Sequence, residues 1–196
     1  MRKWLLVFTR YPEPGTTKTR LIPALGAEGA ADLHRRMAEQ TVTEAKKLPE
    51  VAIEVQFAGG DPARMQRWLG DELRYQPQSL GDLGDRLSEA FRLAFDREAN
   101  AVIAIGTDCP DVDANLLLTA FDQLKTYDLV IGSATDGGYY LIGCRCFVPD
   151  LFVDITWSTS VVFRQTIAIA EHLGLSIAFL PTLSDIDRPE DLGDLQ

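Results

Sequence analysis

Short apolar runs that alternate with stretches of helical periodicity narrow this chain to one fold class. The runs are Trp4–Thr9, Val51–Phe57, Ala101–Gly106, Asp128–Gly132, Tyr139–Cys144 and Leu175–Leu180, each short enough for a strand and too short for a core helix. Leu87, Ala90, Phe91, Ala94 and Phe95 recur at i, i+3, i+4, i+7 and i+8, and Ala114, Leu117, Leu118, Phe121 and Leu124 form a second stripe. Two more helices are expected over about Gly29–Lys47 and Ser160–Leu173. Strands interleaved with helices predict an α/β protein whose helices pack on a sheet. Val51, Ile53, Val55 and Phe57 alternate with other residues, which predicts a half-solvated strand toward a sheet edge. Only Ser133–Gly138 separate the fourth and fifth runs, so a reversal there would make a mostly parallel sheet mixed.

The 196 residues contain no Pro-rich, Ser-rich or low-complexity linker, and a single domain over 1–196 is expected. With 46% hydrophobic and 24% charged residues, disorder is excluded as the main state. Lys and Arg number 19 against 29 Asp and Glu, a net charge of −10. That field repels polyanions and argues against a nucleic-acid partner. Any bound anion must be gripped by a local cationic pocket. Arg2, Lys3, Arg10, Lys18 and Arg20 face a single acid, Glu13, in the first twenty residues, so positive charge is concentrated there. The apolar run behind Arg2 and Lys3 is too short for a signal sequence or a membrane span, and a cytoplasmic location is expected. Cys109, Cys144 and Cys146 lie far in sequence from His34 and His172, which leaves no zinc set, and they are expected as reduced, packed thiols. Neither histidine accompanies a nucleophile motif, so a serine or cysteine hydrolase has little support.

The first strand opens into Arg10-Tyr11-Pro12-Glu13-Pro14-Gly15-Thr16-Thr17-Lys18-Thr19-Arg20. Prolines and a glycine hold such a loop open, so that backbone N–H groups, hydroxyls and cations can face one anion, a phosphate above all. By spacing alone these are equally well ordinary surface cations, because neither G-x-G-x-x-G nor G-x4-G-K occurs. The third strand ends in Thr107-Asp108-Cys109-Pro110-Asp111. A carboxylate at the tip of a buried strand is a rigid oxygen ligand for Mg²⁺ or Mn²⁺ shared with a diphosphate, and equally a turn-forming aspartate. Asp111 and Asp113 read as caps of the following helix. Near the other end, Asp185-Ile186-Asp187-Arg188-Pro189 leaves Asp187 as a helix cap or a second metal ligand, with Asp185 beside it. Asp136-Gly137-Gly138 reads as a hairpin turn, or as a site where Asp136 holds a sugar hydroxyl or serves as a base. Trp157-Ser158-Thr159-Ser160 precedes a helix it would cap, and its indole could wall a sugar site.

Taken together, LLVFTRYPEPGTTKTRL, GDLGDRL at 81–87, IGTDCPD at 105–111, ATDGGYYLIG at 134–143, WSTS at 157–160 and DIDRPEDL at 185–192 resemble the bacterial DUF2064 group, glycosyltransferase-like and associated with the arsenosugar-biosynthesis type. The resemblance runs in order through nearly the whole chain. It implies a branch of the nucleotide-diphospho-sugar transferase superfamily, near the molybdenum-cofactor and 2-phospholactate guanylyltransferases. The implied fold is a three-layer α/β/α GT-A-like one with a mixed, mostly parallel sheet. It further implies that the loop with Gly15, Lys18 and Arg20 binds nucleotide phosphates, that Asp108 binds metal, that Arg86 contacts nucleotide or phosphate, and that Asp187 completes the metal site. Three features depart from the superfamily: the L-A-G-G-x-G/S-x-R-M loop is replaced by YPEPGTTKTR, Asp108-Cys109-Pro110-Asp111 stands in place of D-x-D, and Arg188 replaces a threonine.

The resulting expectation is a Mg²⁺- or Mn²⁺-dependent glycosyltransferase that moves a sugar from a nucleoside-diphosphate sugar to a small acceptor. Arg10, Gly15, Lys18, Arg20 and Arg86 would hold the nucleotide and its phosphates, Asp108 and Asp187 the metal, and Asp136 would activate the acceptor. Nucleotidyl transfer to a phosphorylated small molecule, and a noncatalytic nucleotide-binding module, are the alternatives. Apolar helix faces serve core and interface alike, so the sequence specifies no oligomeric state.

Overall fold

The computed structural model describes residues 2–194. Seven strands form one sheet: β1 (Lys3–Arg10), β2 (Val51–Ala58), β3 (Arg74–Pro77), β4 (Ala101–Ile105), β5 (Leu129–Ala134), β6 (Tyr139–Cys144) and β7 (Ile177–Leu183). Their spatial order is β3-β2-β1-β4-β6-β5-β7. All neighbours are parallel except that β6 runs antiparallel to both β4 and β5. The sheet is therefore mixed and mostly parallel, as the short 133–138 connection predicts. Five helices cover it: α1 (Ile22–Lys46), α2 (Pro62–Leu69), α3 (Leu83–Asp96), α4 (Ala114–Gln123) and α5 (Val162–His172).

Side chains alternate across each strand, so β1 feeds two cores. Leu5 and Val7 join Val42 of α1, Met65 of α2 and Phe121 of α4 on one face. Trp4 and Leu6 join Phe91 of α3 and Ala170 of α5 on the other. Phe91 and Phe121 are fully buried, each worth on the order of 2–3 kcal/mol of apolar transfer. The helices sit on both faces because a buried parallel sheet must be covered twice. Among the described residues no helix is long and apolar enough to cross a membrane.

Several expectations need correction. β2 does lie toward an edge, with only the four-residue β3 beyond it, but it has no solvated face of the kind expected. The polar members of its alternation, Glu54 and Gln56, are buried rather than solvated: Gln56 donates to Glu54 at 2.7 Å, and Arg97 pairs with Glu54 at 2.6 Å. The first helical segment begins at Ile22, before the expected Gly29, but Gly26 is non-helical and kinks it, and the buried face Met37, Ala38, Thr41, Val42 and Ala45 follows the kink within the expected span. Residues Trp157–Ser160 do not cap α5, whose N-cap is Val161 without a side-chain bond; Thr159 instead donates to the Thr156 carbonyl at 2.6 Å. All three cysteines are free, but only Cys109 and Cys144 are buried, and Cys146 lies exposed.

Because β1, β4, β5 and β7 run the same way, their carboxyl ends share one edge of the sheet, where β6 begins. Four connections converge there: Tyr11–Lys18, Gly106–Asp113, Thr135–Gly138 and Ser184–Arg188. In open parallel sheets this is the edge that receives ligands.

Candidate active site

The loop after β1 is folded by its own hydroxyls. Buried Thr17 accepts from the Glu13 N–H and donates to the Tyr11 carbonyl, both at 3.3 Å, while Thr16 donates to the Glu13 carbonyl at 3.1 Å. Arg10 donates to the Thr16 carbonyl at 2.9 Å, so its guanidinium braces the loop it enters. Gly15 has a φ of 84° with open space around it, so only the backbone conformation demands glycine there. Lys18 adopts left-handed φ and ψ of 49° and 45° without being glycine, a conformation that costs roughly 1–2 kcal/mol. The turn aims its side chain inward, where only 4% of it is exposed.

Lys18 meets both acids proposed from sequence. Its Nζ lies 2.6 Å from Asp108 Oδ1 and 3.7 Å from Asp187 Oδ1, and donates to the Ile186 carbonyl. Arg20 pairs with Asp187 through Oδ2. Asp108 follows the wholly buried β4, and the Ile186 N–H donates to the Asp108 carbonyl at 2.9 Å, which ties the segment after β7 to the tip of β4. The polar contacts found for the Asp187 carboxylate among the described residues are with Arg20 and Lys18 rather than with a backbone N–H, while Asp191, inside the following turn, reaches back to accept from the N–H groups of Asp187 at 3.0 Å and Arg188 at 2.7 Å. Asp113 caps α4 through the Leu116 N–H at 2.8 Å. Among the described residues no group of three or more His, Cys, Asp or Glu side chains is placed to hold a metal ion.

Two cavities meet at this cluster. A cleft of about 460 Å³ is lined by Arg10, Thr16–Arg20, His34 and Arg86. A second cavity of about 780 Å³ is lined by Asp136, Tyr139, Trp157, Ser158–Ser160 and Asp185. Arg20, Leu83, Asp108 and Asp187 line both. The structure thus brings Arg10, Lys18, Arg20 and Arg86 to the first space and Asp136 to the second, with Asp108 and Asp187 between them.

The charges of the two spaces differ in sign. Arg86 reaches the cleft from the first turn of α3, which a capping box between Asp82 and Asp85 starts; it donates to the Gly81 carbonyl at 3.1 Å and to Gln78 at 3.4 Å. In the larger cavity, Asp136 accepts from the Gly138 N–H at 2.7 Å, and Asp185 from the Thr135 hydroxyl at 3.5 Å. Among the described residues neither acid has a cation within salt-bridge distance. Burial, followed by the charge of Asp136, pushes the Asp185 carboxyl above its ordinary range. Burial also pushes the Cys109 thiol up, which disfavours a nucleophilic thiolate there.

His34, set aside on sequence as a catalytic candidate, is buried as a packing histidine would be, and it also lines the cleft. Its Nε2 lies 3.0 Å from the Arg10 carbonyl and 3.4 Å from the Thr9 hydroxyl, which in turn lies 3.3 Å from that of Thr107. Its Nδ1 is buried without a partner. Burial lowers the imidazole pKa, with the bond to Arg10 opposing. No motif marks this cluster; its one sequence sign is a histidine on an apolar helix face. Trp157 walls the cavity, edge-on to Tyr139 at 6.3 Å between centroids.

The profile of a bacterial family described as an uncharacterized conserved protein, DUF2064, matches residues 41–159. The chain belongs to the DUF2064 family. No curated protein matches. Among solved structures, the DUF2064 chain is 35% identical to a protein from Desulfovibrio desulfuricans G20, provisionally named a nucleotide-diphospho-sugar transferase; the match covers 99% of this chain and 86% of that one at a TM-score of 0.95. The 4-diphosphocytidyl-2C-methyl-D-erythritol synthase of Anaerococcus prevotii DSM 20548 superposes at a TM-score of 0.65 with 11% identity, over 98% and 94% of the two chains. A Mycobacterium tuberculosis H37Rv protein in complex with manganese superposes at 0.60 with 13% identity, over 98% and 97%. At such low identities the last two show the fold alone. The fold is that of the nucleotide-diphospho-sugar transferases, which enzymes making diphosphocytidyl compounds share.

Proposed function

We propose that this DUF2064 chain, as one domain, binds a nucleoside-diphosphate sugar and transfers the sugar to a small hydroxyl-bearing acceptor. The observation that carries this reading is the pair of oppositely charged cavities meeting at Asp108, Asp187 and Arg20. The cationic cleft suits the nucleotide and its diphosphate, with Lys18, Arg20 and Arg86 as charge partners and the Gly15 turn shaping the loop. Arg10 acts there by holding the loop rather than by direct contact.

The donor set around the Lys18 ammonium is all oxygen: Asp108 Oδ1, Asp187 Oδ1 and the Ile186 carbonyl. Two carboxylates with further oxygens from substrate phosphates are what Mg²⁺ or Mn²⁺ takes in sites it shares with a nucleotide. Asp108 and Asp187 would hold the ion, which when bound supplies positive charge to the diphosphate leaving group. Asp136 takes the acceptor hydroxyl proton as the new bond to the anomeric carbon forms and the bond to the diphosphate oxygen breaks. The free thiols suit a reducing compartment such as the cytoplasm.

Nucleotidyl transfer is the second reading, supported by the shared fold of the Anaerococcus synthase. It calls for a grip on a phosphorylated acceptor, and the 780 Å³ cavity has Asp136, Asp185 and Asp191 against Arg188 outside the Asp108–Asp187 cluster. A noncatalytic nucleotide binder would bind without turnover. Calorimetric titration of UDP- and GDP-sugars with and without Mn²⁺, followed by product analysis, separates all three. Release of nucleoside diphosphate, with the metal-dependent gain in affinity lost in Asp108→Ala, is the expected result. Pyrophosphate release from a nucleoside triphosphate would replace the reading with nucleotidyl transfer, and affinity unchanged in Asp108→Ala would remove Asp108 from the metal site.

A further inference from the structure

Among the described residues Lys18 is the least exposed of the cations that form ion pairs. Its backbone is left-handed, its side chain is 4% exposed, and its ammonium is enclosed by oxygens from chain segments about ninety and one hundred and seventy residues away. Arg20 occupies the other oxygen of Asp187, so among the described residues the cations paired with the two acids both come from the segment after β1. Burying a lysine is unfavourable unless opposite charge meets it, and bringing two carboxylates together is unfavourable unless a cation separates them. Each arrangement offsets the cost of the other.

A hard divalent ion seeking Asp108 and Asp187 would enter the position the ammonium holds. Lys18 also lines the 460 Å³ cleft, so a diphosphate bound there offers its ammonium another anion. We infer that Lys18 is a tethered counter-cation that competes with divalent metal for Asp108 and Asp187 and yields the position only when a diphosphate takes over the ammonium. Metal and nucleotide then bind as a linked pair, each raising the affinity for the other, and the bare ion binds weakly. This inference rests on the reading that Asp108 and Asp187 are the metal ligands, and Lys18 acts on the metal through them.

The test uses the intact chain and Mn²⁺ alone, with the free-ion electron paramagnetic resonance signal as the readout. Lys18→Met removes the competitor and is expected to bind Mn²⁺ at least tenfold more tightly than the native protein. Asp108→Asn in the Lys18→Met background is expected to abolish the gain. The same Lys18→Met protein should bind UDP and GDP without metal more weakly, because the diphosphate loses its ammonium. Opposite shifts for ion and nucleotide are a pattern that simple loss of packing does not produce. Lys18→Gln, with an uncharged polar end, guards against a misfolded methionine variant and should reproduce both shifts. If both variants fold by circular dichroism and bind Mn²⁺ no more tightly than the native chain, the inference is overturned. If that happens while Asp108→Asn still abolishes native Mn²⁺ binding, only the competition fails. If Asp108→Asn leaves Mn²⁺ binding untouched in every background, the metal-ligand reading fails with it.

Discussion

Gly137 offers the sharpest test of how the larger cavity is built. It lies in the turn between β5 and β6 with a φ of +91°, and a Cβ added there would sit 2.3 Å from the Ser160 carbonyl oxygen and 2.6 Å from the Ser160 Cα. Both obstacles are backbone, so neither can rotate away. The contact must open to at least 3.0 Å, which displaces the segment before α5 that lines the cavity. The left-handed backbone costs an alanine about 1–2 kcal/mol. Forcing atoms into a packed contact adds about 1–3 kcal/mol. The bond from the Phe163 N–H to the Gly137 carbonyl, 3.0 Å long, is strained by the same shift. Gly137→Ala should therefore lose about 2–5 kcal/mol of stability, which at about 2–4 °C per kcal/mol for a chain of this size lowers Tm by roughly 4–20 °C. Gly138→Ala is the control. Its Cβ would meet nothing nearer than the movable Asp136 Oδ1 at 3.1 Å, and it should cost under about 1 kcal/mol. Calorimetric unfolding of the two variants decides the matter. Equal Tm values for them would refute the claim that Gly137 is needed for close approach to Ser160.

Glu54 is a buried carboxylate whose charge is met by Arg97, itself 37% exposed, so Arg97→Met should cost about 3 kcal/mol in urea unfolding, the low end for an orphaned buried charge. The double variant Glu54→Gln with Arg97→Met should recover part of that loss; a single-variant loss below about 1 kcal/mol would show that water already screens Glu54. His34 gives a pH signature. Its folded pKa lies below the unfolded value near 6.5, so in acid the unfolded chain takes up a proton that the folded one refuses. The stability it contributes is complete above about pH 6.5 and is lost as pH falls below that value toward the lowered folded pKa. Urea midpoints from pH 7 to pH 5 should accordingly fall more steeply for the native protein than for His34→Gln, and parallel curves would place the acid sensitivity elsewhere.

How much of this was legible beforehand depends on the range of the interaction involved. Strands such as β4, buried at all five positions, announce themselves because burial on both faces leaves a continuous apolar run. β3 does not: Arg74-Tyr75-Gln76-Pro77 has no apolar run and is a strand only because β2 offers a partner edge. Glu54 and Gln56 of β2 are buried with partners of their own, Arg97 on Glu54 and Gln56 on Glu54, so an alternation that reads as one solvated face does not have one. α2 escaped for a different reason, since its start signal, Asp61 before Pro62, is local and real, with Asp61 accepting from the Arg64 N–H at 2.9 Å, but eight residues are too few for a convincing period.

The candidate site divides along the same line. Loops after parallel strands could be placed at one edge because strand direction follows from the order of elements, and the sign of the charge near the amino terminus could be counted. Arg86 came forward only through the family resemblance, because a lone arginine in the first turn of a helix has no spacing to distinguish it. The enclosure of Lys18 by Asp108 and Asp187 could not be read at all. It requires a left-handed residue in a proline-rich loop to meet the ends of β4 and β7, and no local propensity encodes such a meeting. Yet a left-handed lysine is unfavourable alone, two adjacent carboxylates are unfavourable alone, and both persist because each compensates the other. Strain and charge that only make sense together are why the proposed ligand site is placed at this cluster rather than at any surface cation or turn aspartate.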